Sequence, residues 1–162
     1  MIAGQVDTSV DAGITLPDLQ LTLTFSPTTF VVYDYNNFTL PINVVCRVSE
    51  VNRAATNGSN IVIKIPRIIF IDFTYQPSLT IVEGQPVDNN QWTLSQDAIH
   101  WIFTYSGILP AFANSYFGFT GTFNTHTASG VYFMVAEIVN GSGGEWNYNN
   151  NSDSERVDYF SN

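Results

Sequence analysis

The side chains able to do chemistry in this 162-residue chain are few and far apart. Acid–base or nucleophilic catalysis needs a histidine, thiol or hydroxyl set beside a second polar group at a workable spacing. The chain has two histidines, His100 and His126, and one cysteine, Cys46. Neither histidine has a carboxylate or nucleophile at a recognisable motif spacing, and GxSxG, HExxH and glycine-rich phosphate loops are missing. A hydrolytic centre on His100 and a nearby acid is therefore the remote reading, and a solvated or hydrogen-bonded histidine the plain one. A lone cysteine forms no intrachain disulfide, and no Cys/His spacing suits zinc. Cys46 falls between Val44 and Val48 on the apolar set of its segment, where a thiol is an inert small hydrophobe. The expectation is that the protein is not an enzyme.

Oxygen ligands and exposed rings offer more. Near the end of the chain, GSGGEWNYNNNSDSERVDYF (141–160) gathers acids and asparagines between two hydrophobic runs. Asp153, Glu155 and Asp158, with the backbone carbonyls of Asn149 to Asn151, could supply the six to eight oxygens that calcium takes, although the spacing is not that of an EF-hand loop. The competing reading is a connection between strands, because Asn and Gly tolerate positive φ and Asn/Asp side chains bond nearby backbone. We expect the connection and no cofactor, with calcium as the alternative. Trp92, Trp146, Tyr148, Tyr33 and Tyr35 lie in polar surroundings and are the rings that could stack on a pyranose; Trp101, in register with Phe103, belongs to the core.

Bulk composition narrows the partners. With five basic and fourteen acidic residues the net charge is −9, which repels a phosphate backbone, so nucleic acid is not expected. Hydrophobic residues reach 44% while charged ones are only 12%, about half the usual share, so the surface is polar but mostly uncharged. No run approaches the eighteen apolar residues of a membrane span, and no membrane insertion is expected.

These residues must be positioned by strands. Residues 1–17 show no sustained periodicity and end at a proline, which reads as a linker or a loosely attached leading strand; 18–162 form one domain. In DLQLTLTF, Leu19, Leu21, Leu23 and Phe25 alternate with polar residues. FTLPINVVCRV sets Phe38, Leu40, Ile42, Val44, Cys46 and Val48 on one face, with Pro41 on the other arguing for an edge or a bulge. IVIKI, IIFIDFTY, QWTL, AIHWIFTY, YFGFTGTF, VYFMVAEIV and ERVDYF follow, separated by turn-rich segments such as QPSLTIVEGQPVDNN. VYFMVAEIV is apolar on both sides, so it should be central, with a neighbouring strand, the N-terminal segment or another domain over its second face. Tyr132 stands where a tyrosine corner would tie a connection to the backbone. The pattern is all-β: an immunoglobulin-like Greek-key β-sandwich of about 7–9 antiparallel strands.

In order, these landmarks resemble the bacterial immunoglobulin-like conserved repeat domains related to the cell-adhesion modules called CARDB. The resemblance rests on the opening DLQLTLTF, the long strand FTLPINVVCRV, ATNGSNIVIKIP (55–66), the WTL strand, GILPAFANS (107–115), SGVYFMVAEI (129–138) and the ending NNNSDSERVDY. The third departs from the family's usual wording, and no single piece is specific; their order over most of the chain is. The resemblance implies a non-catalytic, extracellular or cell-surface module of an adhesin or secreted scaffold, whose partners are neighbouring domains of the same chain and a surface glycan or protein. The alternative is a carbohydrate-binding module using Trp92, Trp146 and Tyr148.

Overall fold

The computed structural model describes residues 15–32, 39–125 and 128–161. Residues 1–14, Tyr33, Tyr35, Phe38 and His126 lie outside the described residues. Twelve strands are formed among those described: β1 (Leu19–Ser26), β2 (Thr29–Val32), β3 (Thr39–Glu50), β4 (Ile61–Pro66), β5 (Ile71–Phe73), β6 (Ile81–Val82), β7 (Gln85–Pro86), β8 (Trp92–Gln96), β9 (His100–Tyr105), β10 (Asn114–Asn124), β11 (Gly130–Ile138) and β12 (Ser152–Ser161). They build a four-stranded sheet in the order β1-β3-β10-β5, a six-stranded sheet in the order β2-β12-β11-β4-β9-β8, and the small β6-β7 hairpin. The chain is a β-sandwich, and all its pairings are antiparallel except β2 with β12, which run parallel.

Period-two alternation decides which atoms meet between the layers. Leu19, Leu21, Leu23 and Phe25 of β1, and Ile42, Val44, Cys46 and Val48 of β3, are buried as their spacing requires. Opposite them lie Ile61, Ile63 and Ile65 of β4 and Met134, Ala136 and Ile138 of β11. Aromatic rings fill the middle: Phe103 stacks on Phe117 at 4.1 Å, Phe73 on Phe119 at 3.9 Å, and Phe30 on Phe123 at 5.0 Å between centroids. Rings dominate because each removes the most apolar area from water and offset stacking adds to that gain.

Three local expectations are corrected, and the one for Pro41 holds only locally. Pro41 is on an interior strand; it pairs with Thr122 of β10, but the β1 ladder has already ended at Asn43, so the missing donor costs nothing on that side. Only Ile71–Phe73 of IIFIDFTY forms a strand. The QPSLTIVEGQPV segment holds the β6-β7 hairpin, whose two-residue turn uses Glu83 and Gly84, both at positive φ (49° and 79°) as a primed turn needs. Tyr132 packs its ring near Phe123, at 6.4 Å, and among the described residues its hydroxyl makes no hydrogen bond of the tyrosine-corner kind.

The hairpin lies on the outer face of the four-stranded sheet, where Val82 and Val87 pack on Val45. Gly118 lets it approach, since a Cβ there would sit 2.9 Å from the Val44 carbonyl and 3.0 Å from Val82. The segment after the hairpin then closes the free edge of β10. Asp88 N–H donates to Tyr116 O (2.7 Å) and the Asp88 carboxylate accepts from Tyr116 N–H (3.1 Å). Asn89, buried, donates to Gly118 O (2.7 Å) and accepts from Gly118 N–H (2.9 Å), standing in for the strand that is not there. Asn89→Ala orphans both buried backbone groups and should cost about 2–4 kcal/mol in urea unfolding. Asn89→Asp should be no better, because a carboxylate facing the Gly118 carbonyl replaces a donor with an acceptor.

Candidate functional site

The asparagine-rich segment sits at one pole of the sandwich, where β1 begins and β12 begins. Three glycines turn it: Gly141, Gly143 and Gly144 all have φ between 61° and 82°. Its polar groups are spent on the free edge of β1. The Leu19 N–H donates to Glu145 Oε2 (3.3 Å), the Leu21 N–H to the Asn150 carbonyl (3.1 Å) and the Leu23 N–H to Asp153 Oδ2 (2.9 Å). Asp18 takes amide donors from Asn147 (3.0 Å) and Asn150 (2.9 Å). On the other side of β1, buried Glu50 accepts from the N–H groups of Asn52 (2.8 Å) and Phe112 (2.9 Å). The segment is the connection expected, and it serves as a substitute strand.

The three carboxylates considered for calcium do not converge. Alternation along β12 puts Asp153 and Glu155 on one face and Asp158 on the other, where Asp158 is held by Arg156 at 2.7 Å. Among the described residues no group of three or more His, Cys, Asp or Glu side chains comes together in a way that could hold a metal.

The rings divide. Trp92 is 1% exposed, tilted against Tyr105 and Phe117, and its Nε1 donates to Ser115 Oγ (3.0 Å). Its polar neighbours in sequence point outward while the indole points in, so Trp92 is a core residue and not a stacking platform. Trp101 is buried against Phe73, as expected. Trp146 and Tyr148 are 59% and 46% exposed on the polar segment, two residues apart. His100 opens β9 beside the exposed turn of Asp97, with Nδ1 3.2 Å from Asp97 Oδ2. That carboxylate also accepts from the N–H of Ile99 (2.8 Å) and of His100 (2.6 Å), and these bonds, the Ile99 one first, hold it below the usual carboxylate range. The pair organises a turn. Cys46 is fully buried, and burial followed by the nearby Asp153 charge pushes its thiol far above the ordinary value.

Buried Glu145 was not legible in the sequence, and neither was Asn151 beneath it. Glu145 Oε1 accepts from the Asn151 amide at 2.7 Å, while the Asn151 and Asn150 side-chain oxygens are buried without donors. Burial lifts the Glu145 carboxyl from 4.5 to about 7, against the lowering pull of the Asn151 and Leu19 hydrogen bonds and with help from Asp18. Glu50 did carry a signal, since it has the same parity as the buried set of β3.

No family model matches the chain, and no curated protein does. Among solved structures, the crystal structure of the CARDB domain of the PF1109 protein from Pyrococcus furiosus, in complex with di-metal ions, aligns with a TM-score of 0.50 at 15% identity, covering 91% of this chain and 97% of that one. The solution NMR structure of the same domain aligns with a TM-score of 0.51 at 16% identity, covering 92% and 100%. The chain has a CARDB-like fold. The di-metal ions belong to that neighbour.

The raised Glu145 carboxyl makes a pH prediction. Between pH 4.5 and about 7 the native state holds a proton that the unfolded state has released, so stability falls as pH rises through that window. The loss should be about 2–3 kcal/mol. Urea titrations at several pH values should show it in the wild type and show it flattened in Glu145→Gln, which carries the donor of the protonated acid at every pH.

Proposed function

We propose that the domain is a non-catalytic module of an extracellular or cell-surface polypeptide, a bead that spaces or presents its neighbours. The observation that carries this reading is the outer face of the six-stranded sheet. There β11, paired along its length with β12 and with β4 only at Glu137 and Ile138, exposes Val131, Phe133 (55%) and Val135, with Phe160 of β12 also exposed on that face. A contiguous apolar patch of this kind calls for a partner. No described residue covers it, and a neighbouring domain of the same chain would. The course of the chain favours the same reading: β1 begins at the pole of the asparagine-rich segment, and β12 runs from that pole to the other, so units can be joined in series. The low charge and hydroxyl- and amide-rich surface suit an extracellular setting.

Cysteine labelling tests it. Phe133→Cys should react quickly in the domain alone, where buried Cys46 gives little background, and should be protected in a longer polypeptide that carries the adjoining sequence. Equal labelling in both would defeat the proposal.

A second reading is favoured by Trp146 and Tyr148, which stand exposed on one segment and could stack on a sugar. Because Trp92 and Trp101 are buried, a glycan that binds there should change the fluorescence of Trp146 alone. Trp146→Ala should abolish the response; a response that survives the substitution would exclude this platform.

A further inference from the structure

Among the described residues Arg47 is a cation without an anion. It projects from β3 on the outer face of the four-stranded sheet, opposite Thr22 of β1 and Tyr116 of β10. Its Nη2 donates to Thr22 Oγ1 (3.1 Å), while Nε is buried with no acceptor. Among the described residues no carboxylate comes within ion-pair distance of it, although the chain has fourteen acids to five bases. Nε is shielded from solvent, so what a ligand can reach is the outer end of the half-buried guanidinium, and a carboxylate is the group that best complements it because it matches the planar fork.

Beside Arg47 a groove of about 660 Å³ opens between β1 and the β6-β7 hairpin. That is within the size range of small-ligand sites, roughly 300–1,000 Å³. Val45 and Val82 contribute apolar wall; Thr24, Ser26, Gln85 and Tyr116 contribute hydroxyls and an amide. The one acid on the rim, Glu83, accepts from Ser26 Oγ (2.6 Å) and not from Arg47. A peptide adding itself as a strand to β1 finds the N–H groups of Leu19, Leu21 and Leu23 already taken. A ligand that brings a carboxylate together with many hydroxyls fits these walls better.

We propose that this groove binds a carboxylated saccharide, with Arg47 receiving the carboxylate and the hydroxyl-bearing rim receiving the sugar. The site shares no lining residue with the Trp146 and Tyr148 platform and does not depend on it.

The test is a titration of isotope-labelled protein with a short oligogalacturonate, followed by NMR, beside the same oligosaccharide with its carboxyls reduced. Shifts should gather at Thr22, Thr24, Arg47 and Tyr116. The reduced sugar and Arg47→Gln should each bind at least about tenfold more weakly, with Arg47→Lys between, since a point charge cannot make the paired bonds of the fork. Glu83→Gln keeps an acceptor for Ser26, removes the rim charge and should bind more tightly. If Arg47→Gln fails to fold, the reduced sugar and Glu83→Gln still decide the matter. The proposal is overturned by absence of saturable binding, by equal affinity for the reduced sugar, by shifts centred on Trp146 and Tyr148, or by an oligoglutamate peptide binding in the groove as well as the sugar does.

Discussion

Everything in this molecule depends on alternate side chains of two sheets meeting in a dry layer with no covalent brace. Cys46 has no partner, so the energy must come from area and fit. The rings Phe103, Phe117, Phe119 and Phe73 form a continuous stack across the layer, and Trp92 closes one side of it with its single polar atom satisfied by Ser115. Such a layer tolerates no reactive group. The buried thiol is held protonated by the same apolar packing that makes it useful as a filler.

A sandwich that uses its interior this way must still deal with its sheet edges. Here two of them are closed by side chains, helped by the Asn150 carbonyl and the Asp88 N–H of the backbone, instead of by strands. Asp88 and Asn89 complete the edge of β10, and Glu145, Asn150 and Asp153 complete that of β1. Side-chain carboxylates and amides can do this because each presents acceptors at about the spacing of a backbone carbonyl, yet leaves nothing for a second chain to extend. The acidic excess thus has a structural use: several of the acids are acceptors for β1 and β10 N–H groups.

The layers were legible because they obey a period of two. Leu19 to Phe25 and Ile42 to Val48 read directly onto the buried faces, and so did the inward Trp101 and Phe103. What could not be read was anything set by through-space pairing. Trp92 sits among polar residues in the sequence, but strands alternate and its neighbours' polarity says only that the opposite face is wet. Asp153, Glu155 and Asp158 look like a ligand set until the same alternation splits them. Glu145 lies outside any periodic segment, so its burial depends on where β1 begins, over a hundred residues earlier.

The two outer faces of the sandwich are chemically unlike, and the difference follows from what already covers each. The hairpin shields part of the four-stranded sheet, and the remainder is hydroxyl-rich with one unpaired guanidinium, a surface suited to a small polar ligand. Among the described residues the six-stranded sheet carries no such cover and shows valine and phenylalanine, a surface suited to another folded body. A contact through β11 would leave the Arg47 groove open, because the two lie on opposite sides of the core. On the proposed reading, a bead would be locked to its neighbour on one side while its other side stays available, a division that a domain with two similar polar faces could not make.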